Sequence, residues 1–70
     1  MNINVFFGSK IKEERLKLKL SQEKLALNAD VDRTYVSDIE KGTRDVSLVI
    51  AYKISKALKI PLTNLLEDLE

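Results

Sequence analysis

Seventy residues with 12 Lys and Arg against 11 Asp and Glu leave a net charge of +1, room for one small domain, and no bulk positive excess that would announce a polyanion partner. Hydrophobic residues make up 44% of the chain and aromatic residues 6%, a folded composition rather than a disordered one. With no Cys and no His, thiol nucleophiles, disulfides, imidazole bases and the usual transition-metal ligands are excluded, so neither a metal site nor a cofactor is expected.

Gly8, Gly42 and Pro61 are the whole stock of glycine and proline, too little punctuation for a turn-rich β fold. Helices joined by short loops fit better. Phe7, Ile11, Leu16, Leu18 and Leu20 recur near helical spacing among Lys and Glu, which predicts a first helix over residues 5–19 with Asn4 as its cap. Ser21 is a good N-cap for a short second helix over 22–29, with Glu23 near the positive end of the dipole. Asp30-Val31-Asp32 interrupts the pattern, and Asp32 caps a third helix that begins at Arg33 and closes before Gly42. After Thr43-Arg44-Asp45, Ser47 caps a fourth helix with Leu48, Ile50, Ala51, Ile54, Ala57 and Leu58 as its apolar set, ending near Lys59. Pro61 suits the first turn of a fifth helix over about 61–69, carrying Leu62, Leu65, Leu66 and Leu69. The result is an all-α, five-helix domain spanning residues 1–70, without repeats or low-complexity segments.

The second and third helices are joined by about three residues, with Leu25, Ala26, Ala29, Val31, Val36 and Ile39 as their inward set. That is the spacing of a helix-turn-helix over about 21–41, and the small Ala26 lets two helix backbones cross closely. Ser21-Gln22-Glu23-Lys24-Leu25-Ala26, then Asp32-Arg33-Thr34-Tyr35-Val36-Ser37-Asp38-Ile39-Glu40-Lys41-Gly42-Thr43-Arg44, then Ser47-Leu48 together resemble the Cro and phage-repressor (Xre) helix-turn-helix family, over about residues 7–66. The resemblance implies a compact lambda-repressor-like DNA-binding domain, usually a dimer on a palindromic operator, whose third helix enters the major groove.

Helix geometry gives the third helix its two faces. Val36 and Ile39 point inward and leave Arg33, Thr34, Ser37, Asp38 and Lys41 opposite. Arg33 can present its fork to O6 and N7 of guanine, while Thr34 and Ser37 can bond base edges or touch a thymine methyl. In isolation most such faces are only solvated helix surface; with the resemblance, base contact by Arg33, Thr34 and Ser37 is the expectation. Gln22, at the amino end of the second helix, is placed for a phosphate, as in similar repressors. Tyr35 can set its hydroxyl on a phosphate or pack half-buried, and Thr43 and Arg44 follow the helix within reach of phosphate or a groove edge. Asp38 is an anomaly on a face turned to DNA: it can accept from cytosine N4, pair with Arg33 or Lys41, or lie at the edge of the footprint. Arg15 and Glu40 resemble the partly buried ion pair that ties the first helix to the third in phage repressors, and Asp30 stands where the family often has Gly.

One helix-turn-helix covers few base pairs, so specificity calls for two half-sites about one helical turn apart. A homodimer through the C-terminal helix is therefore expected, using Tyr52, Leu65, Leu66 and Leu69, although Leu62 and Leu65 are also the first candidates to complete the monomer core. Asp32-Arg33-Thr34-Tyr35 with Arg44, in a chain of this length, is similar to controller proteins of restriction–modification systems. The resemblance thus implies a regulator of its own operon, acting on double-stranded DNA. A small phage or plasmid repressor or an antitoxin-type autoregulator is the nearest rival, and a helical protein-interaction module without DNA binding is the alternative of another class. No catalytic constellation can be assembled at recognisable spacing, so an enzyme is not expected, nor is a small-molecule ligand. No apolar run approaches the roughly 20 residues of a membrane span, which makes a cytoplasmic protein with no membrane partner the expectation. The charge is also unevenly placed: residues 1–29 carry six bases and three acids, whereas 60–70 carry three acids and no base.

Overall fold

Four helices start at a side-chain cap that the sequence supplies. The computed structural model describes residues 2–67, and they form α1 (Ile3–Lys17), α2 (Gln22–Ala29), α3 (Arg33–Lys41), α4 (Leu48–Leu58) and α5 (Leu62–Leu65). Asn2 accepts from the Asn4 and Val5 N–H groups, Ser21 from Lys24, Asp32 from Thr34 and Ser47 from Ile50, satisfying amides that would otherwise be orphaned in the first turns. Only α5, opened by Pro61, has no side-chain cap. The first helix begins two residues before the predicted start because Asn2 takes the cap; Asn4 lies inside the helix, and its amide donates to Asp45 Oδ1 at 2.7 Å.

The first four helices are each followed by a left-handed turn. Lys19, Asp30, Gly42 and Lys59 all have positive φ, and the amide that follows each reaches back to a carbonyl of the last turn: Leu20 to Arg15, Val31 to Ala26, Thr43 to Asp38 and Ile60 to Ser55. Three of the four are not glycine, which is why their stop signals are weak in the sequence.

Phe7 and Ile11 of α1, Leu25, Ala26 and Ala29 of α2, Val36 and Ile39 of α3, Ala51, Ile54 and Leu58 of α4 and Leu65 of α5 make one core. Four of the expected apolar positions, Leu16, Leu18, Leu48 and Leu66, are exposed instead. Leu16 and Leu18 are exposed because the buried stripe of α1 runs Phe7, Gly8, Ile11 and Arg15, so a charged residue occupies the inward position beside them. On α4 the stripe is Ala51, Ile54, Ser55 and Leu58, the i, i+3, i+4, i+7 pattern of one helix face, with the Ser55 hydroxyl donating to the Tyr52 carbonyl. Leu48, one turn earlier, is 77% exposed and stands at the rim of an open groove bounded by Ile3, Phe7, Val46 and Leu66.

Two departures concern the expected C-terminal dimer helix. The fifth helix is a single turn ending at Leu65, and Leu69 lies outside the described residues. Leu65 is 0% exposed, closed in beneath α4 and α1, so it completes the protomer and has no surface to give a partner.

Alpha1 crosses α3 at Gly8. A Cβ there would run into the carbonyl oxygen of Ile39, so hydrogen at this position is what lets the two backbones touch.

Candidate nucleic-acid interface

The turn between α2 and α3 is built by Asp30, which takes the left-handed conformation at φ 59° and ψ 47°. Asp tolerates this region better than most side chains, and the turn keeps its geometry without glycine. Ala26 is buried under α3 as its size requires, and Val36 and Ile39 anchor the inner face of α3 in the core. Arg33, Thr34 and Lys41 are exposed on the outer side, with Ser37 and Asp38 half-buried. The first turn of α3 thus presents Arg33 and Thr34 at its leading end, above the Asp32 cap.

Glu40 fixes α3 to the rest of the molecule. Arg15 Nε donates to Glu40 Oε2 at 2.7 Å and Arg15 Nη2 to Oε1 at 3.0 Å, a two-pronged pair whose side chains are 9% and 4% exposed. The third arm, Arg15 Nη1, donates to the Leu20 carbonyl at 2.7 Å and so ties down the turn that ends α1. Gln22 Nε2 donates to the same Glu40 Oε1 at 3.1 Å. A primary amide nitrogen carries two protons. One is held by Glu40, and the other remains for an acceptor at the amino end of α2, the place expected for a phosphate.

The loop after α3 is folded back on the helix. Gly42, at φ 75°, leaves α3 in a left-handed turn, and a Cβ added there would lie 2.7 Å from Val5 Cγ2. Thr43 donates through both its N–H and its hydroxyl to the Asp38 carbonyl, each at 3.2 Å. That hydroxyl proton is therefore spent on closing the helix rather than turned to solvent. The reversal returns Arg44 alongside α3, where its Nη2 donates to Asp38 Oδ2 at 3.1 Å and its guanidinium lies over the Tyr35 ring, 4.3 Å from the centroid. The hydrogen bond to Asp38 raises the Arg44 pKa above its ordinary value, against a smaller opposing effect of desolvation. Tyr35 is half-buried and serves as the platform for Arg44. Asp38 pairs with neither Arg33 nor Lys41, the partners the helix spacing suggested.

The structure places Gln22 at the start of α2, Arg33, Thr34, Tyr35 and Ser37 on the first five residues of α3, and Thr43 and Arg44 in the loop between α3 and α4. Tyr52 and Leu66 lie apart from them, Tyr52 beside Leu48, Val49 and Leu62. Several contacts escaped the sequence reading: Asp38 with Arg44, Arg44 with Tyr35, Gln22 with Glu40 and Asn4 with Asp45. The two made by Arg44 depend on the left-handed exit of α3, of which the Gly42 stop signal was the one advance trace.

A helix-turn-helix family model matches residues 11–65. The chain is 54% identical over 67 residues to the control protein C.BamHI of Bacillus amyloliquefaciens, covering 94% of this chain and 83% of that one. It is 50% identical over 70 residues to the control protein C.MunI of a Mycoplasma species, covering 99% and 95%. The crystal structure of the restriction-modification controller protein C.AhdI from Aeromonas hydrophila superposes with a TM-score of 0.89 at 42% identity, covering 93% of this chain and 98% of that one. The wild-type controller protein C.Esp1396I gives a TM-score of 0.88 at 30% identity, covering 99% and 90%. With its two short helices locked across the Asp30 turn and this match over most of its length, the chain belongs to the helix-turn-helix family of the Cro and phage-repressor (Xre) type, whose members are DNA-binding transcriptional regulators.

Proposed function

We propose that this protein is a restriction–modification controller that binds a (pseudo)palindromic operator as a homodimer and sets transcription of its own operon. The observation that carries this reading is the leading turn of α3. Arg33 and Thr34 stand exposed there, with Gln22 held to α3 through Glu40 and Arg44 through Asp38, on a fold shared with proteins named as controllers. Arg33 takes the role of base reader through the guanine edge, with Thr34 and Ser37 beside it. Gln22, oriented by Glu40, grips the phosphate backbone, and Arg44 extends the contact past the end of α3.

The second copy has a surface to meet. Leu48, Val49 and Tyr52 are 77%, 64% and 55% exposed, and with Leu62 and Leu66 they make an apolar patch on α4 and α5, on elements other than those that read DNA. The proposed dimer is thus centred on the amino-terminal half of α4, with α5 at its edge. Among the described residues no helix is long and apolar enough to cross a membrane.

Selection from a pool of random duplexes at low and moderate salt tests the reading. Enrichment of an inverted repeat with half-sites about one helical turn apart and a steep loss of affinity with salt are the expected results. A flat salt response without enrichment would overturn it in favour of a protein-interaction module. Transcription from the promoter beside an enriched site, measured with and without the protein, then shows whether it activates or represses.

A further inference from the structure

We propose that Asp38 is a positioning residue for DNA reading: it holds Arg44 against Tyr35 so that the loop after α3 joins the recognition surface as a fixed part. The inference rests on the DNA-binding function proposed above.

A carboxylate on a face turned to phosphates costs repulsion unless its charge is used. Here it is used. Asp38 and Tyr35 are three residues apart on α3 and so lie on one side of it. The Arg44 guanidinium meets both, its flat face on the Tyr35 ring at 4.3 Å and its Nη2 on Asp38 Oδ2 at 3.1 Å. A guanidinium has five donors in a rigid fork, and stacking leaves its edges open. One donor therefore fixes the group and the others remain for DNA, while Arg44 keeps 43% of its side-chain surface exposed and Asp38 keeps 30%.

The loop that brings Arg44 back is itself fastened. Thr43 closes on the Asp38 carbonyl, Gly42 packs against Val5, and Asp45 accepts from the Asn4 amide at 2.7 Å. Such anchoring at both ends is what a contact of defined direction needs, whereas a merely solvated arginine would need none of it. Holding the side chain before DNA arrives removes ordering cost from the binding step. It also gives Arg44 a preferred direction, and hence a base preference.

The test uses the wild-type chain, Asp38→Ala, Asp38→Asn, Arg44→Ala and the double variant Asp38→Ala with Arg44→Ala, each selected against duplexes with a randomised core. Thermal unfolding of each protein accompanies the selection, and the Asp38 variants should melt with the wild type because this side chain lies outside the core. Asp38→Ala is expected to lose about tenfold in affinity for the wild-type site and to lose preference at the same base pairs as Arg44→Ala. In the Arg44→Ala background, removing Asp38 should change neither affinity nor base profile. Asp38→Asn keeps an acceptor oxygen and should retain the profile with weaker affinity. Uniformly tighter binding by Asp38→Ala with an unchanged profile would overturn the inference, since the carboxylate would then only repel. A changed profile in the Arg44→Ala background would overturn it too, because Asp38 would be reading a base itself. If the wild-type chain enriches nothing, the proposed function fails and takes this inference with it, which separates the two failures.

Discussion

Glu40 joins α3 to α1 and α2 through one side chain. Its two oxygens receive Arg15 twice and Gln22 once, in surroundings that leave the carboxylate 4% exposed. Glu40→Ala strands the Arg15 guanidinium with only the Leu20 carbonyl, and a buried charge without its partner costs on the order of 3 kcal/mol. A domain of this size is held by only about 4–10 kcal/mol in all, so the denaturation midpoint should fall steeply. An unchanged midpoint would show that the pair contributes nothing. Arg33→Ala should leave the midpoint alone and relax specificity at one base pair per half-site, by roughly 1–3 kcal/mol of discrimination. Gln22→Ala should weaken all sequences alike, read as a parallel drop in affinity across a panel of duplexes. The Arg15–Glu40 pair was legible in the sequence through its family resemblance, and Arg33 and Thr34 through the face left over when Val36 and Ile39 turn inward. The Asp38–Arg44 pair was not legible: residues six apart are neighbours on no helix, and they meet only because Gly42 reverses the chain between them.

At the scale of the element, the signals for starting a helix read more clearly than those for stopping one. Ser21, Asp32 and Ser47 cap the helices they were expected to cap, because a hydroxyl or carboxylate accepting from an N2 or N3 amide is a local event. Helix ends depend on a backbone state that Lys19, Asp30 and Lys59 enter without glycine. This strain offers a gain. Lys59→Gly lifts the Cβ penalty at φ 61° and should raise stability by about 0.5–1 kcal/mol, seen as a higher urea midpoint at unchanged slope. Gly8→Ala should act the other way. Alanine favours helix interiors by about 1 kcal/mol, yet its Cβ would displace the Ile39 backbone, and overpacking of that kind costs typically 1–3 kcal/mol. A net loss of stability is expected, with weaker DNA binding because α3 is the element pushed aside. The misplacement of Leu16, Leu18 and Leu48 has one cause: periodicity counts apolar residues, while burial here is shared with Gly8, Arg15 and Ser55.

For the molecule as a whole, charge is divided along the chain: residues 60–70 carry three acids and no base, whereas residues 1–29 carry six bases and three acids. The apolar surface around Leu48, Val49 and Tyr52 leaves the protomer complete without it, since the core closes on Leu65. Val49→Glu combined with Leu48→Glu should therefore spare the fold of the protomer and weaken self-association by about tenfold or more, measured by sedimentation across a concentration series. Operator affinity should fall with it, because each half-site alone covers only a few base pairs. Equal sedimentation of the variant and the wild type would remove this face from the dimer. The sequence nominated an apolar C-terminal stripe with Leu62 and Leu65 as the first candidates for the core, and Leu65 is fully buried and Leu62 packs against the core, while Leu66 stays exposed.

The split between the two faces of α3 bears on how such a regulator can diverge. Val36, Ile39 and Glu40 hold the helix, while Arg33 and Thr34 stand outside the packing. If Arg33 and Thr34 read bases as proposed, operator preference can drift by exchange at a few outward positions without passing through an unfolded ancestor. Duplicated copies in one cell could acquire separate operators early, and the scaffold would preserve almost no record of the change.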